Sequence, residues 1–196
     1  MEKEFTTQES LQLISQMISK AKDDFIETGV SALMWGAIIT FCSLVSLFNH
    51  LFFKQSWVEG VWWLTLLGIV PQIVIARREG RLRKYRAHDD QLRGGIWISF
   101  GVAILLMNYF VLRYNFPQPI SVYLVLYGIP TFAIGFGKRF RPMVIGSIAC
   151  WVFAILSSLT PGAWVLLYLA GGAQLAWFIP GLILRKRYLK AKKKNV

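Results

Sequence analysis

Six stretches, at about 29–53, 57–76, 94–114, 119–137, 141–159 and 162–184, run without a Lys, Arg, Asp or Glu in their central parts. A helix rises about 1.5 Å per residue, so roughly 20 apolar residues cross a hydrocarbon layer about 30 Å thick. Strands of a barrel would alternate with a period of two, whereas these runs are apolar on every face. The expected fold class is all-α, a polytopic membrane protein with a six-transmembrane-helix bundle. A hydrophobic fraction of 55% and an aromatic fraction of 15% point the same way, since soluble domains average about 45–50% apolar. The surplus must face something other than water.

The net charge of +12 would suit nucleic acid if it were spread over a reading surface, or a bilayer if it followed the connections between spans. It follows the connections. The segment before the first span holds three Lys/Arg, the second connection seven, the fourth three (Lys138, Arg139, Arg141) and the segment after Leu184 seven, against Lys54 and Arg113 alone in the others. Positive connections stay on the cytoplasmic side, so both termini are expected there. Trp57, Trp62, Trp63, Tyr109, Tyr114 and Trp164 are the aromatic anchors expected at the outer interface. The densest basic run, "ARREGRLRKYRAHDDQLR" at 76–93, has no reading fold behind it, which argues against nucleic acid. Anionic headgroups are the expected partners of Arg77, Arg78, Arg81, Arg83, Lys84, Arg86, Arg185, Lys186 and Arg187, at about 1 kcal/mol per close cation.

Residues 1–28 are expected to form an amphipathic cytoplasmic helix, 29–184 the six-span domain and 185–196 a basic tail. In "TTQESLQLISQMISKAKDDFIETG", Thr6 and Glu9 have capping-box spacing, and Leu11, Ile14, Ile18, Ala21 and Phe25 share one face. That helix either packs on the bundle's own cytoplasmic side or offers residues 6–27 to a partner or to a second copy. The first 28 residues carry six acids and three lysines, a composition that predicts no cleaved signal.

Within the spans, small residues recur four apart at Ala32/Gly36/Thr40, Gly95/Ser99/Ala103 and Gly146/Cys150/Ala154. Such stripes let helix backbones approach closely, which matters where lipid supplies no hydrophobic drive for association. Gly36, Ser99, Gly146, Cys150 and Ala154 are therefore expected to mediate helix packing. Each even span carries one proline in its interior, Pro71, Pro130 and Pro180, followed within about two turns by basic residues. This suggests three repeated helical hairpins. Proline removes a backbone donor and kinks a helix, so Pro71, Gln72, Pro130, Thr131 and Pro180 are the candidates for a cavity or hinge.

Chemistry is sparse. The spans lack the central ionisable residues that mark ion paths and proton relays. Towards the outer face, His50 and Glu59 are read as part of a solvated rim, because one histidine and one carboxylate fall short of a metal's three or four ligands. Cys42 and Cys150 have no Cys/His spacing around them. There is no phosphate loop, GxSxG elbow, HExxH or carboxylate pair. No enzyme, catalytic residue, metal or cofactor is expected. The leading expectation is a noncatalytic protein acting through protein or lipid contacts, in signalling, regulation or scaffolding. The alternative is a carrier of a neutral or amphipathic solute or lipid through a cavity framed by the kinked helices.

The segments "ISKAKDDFIETGVSALMWGAII", "YGIPTFAIGFGKRFRPMVIGSIACWVFAILS" and "LLYLAGGAQLAWFIPGLILRKR" resemble a group of uncharacterised bacterial six-span membrane proteins. The resemblance extends over nearly the whole chain, through motifs of helix packing and not of chemistry. It implies a bacterial inner-membrane protein and transfers no activity and no site residue. Such proteins are often encoded beside small winged-helix regulators, which implies a signalling or regulatory role.

Overall fold

The computed structural model describes residues 28–82, 88–114, 116 and 118–194. The amphipathic segment 6–27 and the basic residues Arg83, Lys84 and Arg86 lie outside the described residues. The chain is all-helical, with no strand among the described residues. Six helices are long and apolar enough to cross a membrane: α1 Val30–Phe53, α2 Ser56–Gly80, α3 Gln91–Tyr114, α4 Pro119–Gly137, α5 Arg141–Leu159 and α6 Gly162–Lys193. The last outruns its expected end at 184, because Lys and Arg are good helix formers and nothing after Leu184 breaks the helix. The basic tail is thus the end of α6.

Packing is uneven. Half of the most apolar window of α6 is buried, and about a third or more in α1, α4 and α5, but only 6% in α2 and in α3. The core is a four-helix group with α6 wedged between α1 and α5, and α4 packed along α5. Outside it, α2 leans on α1 and α3 leans on α4.

The wedge depends on small residues. A Cβ on Gly36 would lie 2.7 Å from the Phe178 nitrogen, and one on Gly146 would lie 2.2 Å from the Leu175 carbonyl oxygen. Ala176 and Phe178, two positions apart, face opposite sides of α6, so α1 and α5 press on it from both flanks. Cys150 and Ala154 continue the α5 stripe and are buried, with Cys150 Sγ 3.5 Å from the Gly172 oxygen. At the base of α1, Gly29 has φ +71° and a Cβ there would sit 2.5 Å from the Gly181 oxygen, so both conformation and space require glycine.

The third stripe has a different setting. Gly94, Gly95 and Gly101 have nothing within 4 Å of a built Cβ, and Ser99 is exposed, its hydroxyl donating to the Ile96 oxygen of its own helix at 2.9 Å. On α3 this face is turned away from the core of the chain. Gly95→Ala should therefore leave stability unchanged or raise it by up to about 1 kcal/mol through helix propensity. Denaturation in detergent micelles checks this.

One end of the bundle gathers the basic residues. Thr28 Oγ1 bonds Glu79 Oε1, which joins the start of α1 to the end of α2 beside Arg77 and Arg78. Gly29 lies against the Arg185 backbone, and the Arg187 guanidinium stands 5.1 Å over the Phe140 ring at the α4–α5 turn. That turn closes with Phe140 N donating to Gly135 O at 2.8 Å and Arg139 N to Phe136 O at 3.0 Å, with Arg139 left-handed at φ 52°. This is the Schellman pattern with arginine in the position that usually holds glycine. Lys54 and Arg113 lie at the opposite end, next to the α1–α2 and α3–α4 connections.

Candidate functional site

The cavity candidates fall into separate groups. Pro71 is exposed on α2, while Pro130 and Pro180 are buried. Gln72 Oε1 accepts the Trp35 indole N–H at 3.0 Å, which ties α2 to α1. Thr131, fully buried, donates to the Tyr127 oxygen of its own helix at 2.8 Å and accepts the Trp177 indole N–H at 2.9 Å. Trp177 in turn sits in an aromatic cluster, 4.6 Å from Tyr127 and 6.1 Å from Phe100 between ring centroids. Gln72 and Thr131 thus hold two separate interhelical hydrogen bonds and do not meet in one cavity. Each is bonded to a different tryptophan, because a neutral polar group in an apolar bundle takes the nearest indole as its partner.

Two π-helical turns interrupt α1 and α6, at Asn49–Phe53 and Gln174–Phe178. Such turns are rare and concentrate at functional sites. Gln174, at the start of the inner one, donates Nε2–H to Thr40 Oγ1 at 3.0 Å, and Thr40 donates to the Ala170 oxygen at 3.5 Å. This polar contact between α1 and α6 fills the stripe position where Thr40 stands in place of a smaller residue.

The outer π-turn organises the densest polar cluster among the described residues. It brings Asn49 and His50 against Glu59, which lies in the 3₁₀ turn Ser56–Trp62 at the start of α2. Glu59 Oε2 accepts the Ser46 hydroxyl at 2.7 Å, and Oε1 accepts Asn49 Nδ2–H at 2.9 Å. His50 Nδ1 lies 3.3 Å from Oε1 and 2.9 Å from the Ser46 carbonyl oxygen. A carbonyl only accepts, so Nδ1 carries the proton and Nε2 is left to solvent. Ser46 Oγ also accepts the Trp62 indole N–H at 2.9 Å, and the Asn49 amide pairs with Gln55 N and O, both at 2.9 Å. The imidazole is about half exposed and the carboxylate about one-third, so the pair lies at the rim, while its partners Ser46 and Asn49 are buried. The connection between α1 and α2 shrinks to Lys54 and Gln55. Spacing alone could not show this, since π and 3₁₀ turns do not follow the 3.6-residue period. Beside the cluster, a groove of about 660 Å³ runs along α1, lined by apolar side chains such as Phe41, Leu44, Phe48 and Trp57.

These features define a class and no more: a helical bundle with six helices able to cross a membrane, a basic end, and one carboxylate held by a hydrogen-bond cluster at the other end. No protein-family model, no curated protein and no solved structure matches the chain. No group of three or more His, Cys, Asp or Glu able to hold a metal occurs among the described residues.

Proposed function

We propose that the chain is an integral protein of the bacterial inner membrane with both ends of the six-helix unit cytoplasmic. It is noncatalytic and acts through lipid or protein contacts made by its basic end. The observation that carries this reading is the gathering of Arg77, Arg78, Lys138, Arg139, Arg141, Arg185, Lys186 and Arg187 at one end of six apolar helices, with Lys54 and Arg113 at the other. Large apolar side chains at the flanks, such as Leu112 at 87% and Ile98 at 70% exposure, suit lipid tails and not water. A carrier would need polar groups converging on one cavity, and Gln72 and Thr131 do not converge. The interaction reading is therefore preferred.

The test is reconstitution into nanodiscs of zwitterionic lipid with and without phosphatidylglycerol. The wild-type chain should gain thermal stability and retain the anionic lipid in native mass spectra. Replacing Arg185, Lys186 and Arg187 together by alanine should lose about 3 kcal/mol of that attraction, at about 1 kcal/mol per cation. Equal retention by the triple variant would overturn the lipid part of the proposal. The protein part is tested by crosslinking in intact cells: a partner captured through the basic end supports it, and capture unchanged in the triple variant argues against it.

A further inference from the structure

The chain enters the bundle at a pinned point on the basic end. Thr28 Oγ1 bonds Glu79 Oε1 of α2 and accepts the Val30 N–H at 3.3 Å, while Gly29, at φ +71°, lies against the Gly181 oxygen and the Arg185 nitrogen of α6. Arg77 and Arg78, just before Glu79, are exposed, as is Lys186 beside Arg185. Four cations thus stand on the two helices that hold the entry point, and Glu79 offsets one of them.

The sequence places opposite charge directly before that point. Of the ten Asp and Glu in the chain, six precede Thr28, and three of these, Asp23, Asp24 and Glu27, fall within five residues of it with no Lys or Arg between. An extended chain spans at most about 3.6 Å per residue, so the backbone of Asp23 reaches no further than about 18 Å from Thr28, and that of Glu27 about 4 Å. The tether confines three carboxylates to the neighbourhood of Arg77, Arg78, Arg185 and Lys186, whatever path the chain takes. Four cations less the Glu79 carboxylate leave a charge of +3, and the three acids match it.

From this we infer that residues 23–27 are a tethered competitor of the basic end: the Asp23, Asp24 and Glu27 carboxylates pair with these cations and hold anionic headgroups off them. The competition rests on the headgroup reading proposed above, whereas the docking of the segment does not. A carboxylate can stand in for a phosphate here, because a guanidinium fork pairs with either through two parallel hydrogen bonds, and three of the four cations are arginines. A group on a short tether acts at an effective concentration in the millimolar range. A headgroup must therefore displace the chain's own acids before it pairs with these cations. Whatever draws residues 23–27 away, such as a cationic partner, opens the site.

The experiment uses the full chain in nanodiscs holding one copy each. In discs of zwitterionic lipid, a carbodiimide, which joins a carboxylate directly to an amine, should link residues 23–27 to Lys186 or Lys190, both exposed. Peptide mass spectrometry locates the link, and no anionic lipid takes part in it. Absence of the link, or a link that forms only in discs holding two copies, overturns the docking. In discs with graded phosphatidylglycerol, Asp23→Asn, Asp24→Asn and Glu27→Gln together should lower the lipid fraction for half-maximal retention by about tenfold. Added to a chain with Arg77, Arg78, Arg185 and Lys186 replaced by Gln, the same three substitutions should shift it by less than about twofold, because the two sets of charges act on each other. An unchanged half-point in the first comparison, or an equal shift on both backgrounds, overturns the competition. If neither the wild type nor the acid variant retains phosphatidylglycerol, the headgroup reading fails and the competition with it, and the crosslink alone decides whether the segment docks.

Discussion

Gly146→Ala is expected to destabilise the bundle by about 3 kcal/mol, measured by reversible denaturation in mixed micelles. The new methyl group would stand 2.2 Å from the Leu175 oxygen and 2.7 Å from the Ala176 Cα. Both are backbone atoms of α6, so no rotamer change relieves the clash and α5 must move away from α6. In water, part of that cost would be offset by the apolar area an added methyl buries. In lipid the drive between helices is close packing and hydrogen bonding, so separation forfeits the contacts with little return. Cys150 Sγ and the Gly172 oxygen, one turn further along, would part with it. Gly95→Ala on α3 is the matched control, since it adds the same atom in the same kind of stripe with nothing nearby. Equal effects from the two substitutions would mean that α6 is not wedged between α1 and α5.

That contrast also measures how much of the structure is legible in the sequence. The six long apolar helices and the basic end are readable because length, apolarity and charge each act locally along the chain. Three small-residue stripes are readable as well, but nothing within a stripe says which helix will dock on it. The discriminating signal lies in the partner: α6 is itself small-sided, with Ala170, Gly171, Gly172, Ala173, Ala176 and Gly181 on it. Two stripes can close on such a helix, and the third is left outside. The Glu59 cluster escaped for another reason. The expected ends of the first two spans, at 53 and 57, lie within a residue of those observed, but a 3.6-residue period says nothing of the turn type there. The π-turn at Asn49 and the 3₁₀ turn at Ser56 turn Asn49, His50 and Glu59 towards one another. The Thr131–Trp177 bond spans 46 positions and has no short-range signature.

Trp177→Ala is expected to cost about 3–5 kcal/mol, the range for deleting a buried large aromatic side chain. Trp177 is 4% exposed and stands on α6 in the core, against Tyr127 from α4 and Phe100 from α3. Its removal opens a void under Phe100 and leaves Thr131 Oγ1 without its donor. The two contributions separate with Trp177→Phe, which keeps a ring against Tyr127 and removes only the indole N–H. An interhelical hydrogen bond in a membrane bundle is worth about 0.6–2 kcal/mol, so the phenylalanine variant should lose no more than that. The aromatic stack would then account for the larger share. The same pair of variants reports on α3, which meets the core through its packing on α4. With the ring gone, Phe100 loses part of its seat, and amide exchange along α3 should quicken in Trp177→Ala but not in Trp177→Phe. Quickening in both would assign the anchoring of α3 to the Thr131 hydrogen bond instead, and quickening in neither would mean that Tyr127 alone holds Phe100 in place.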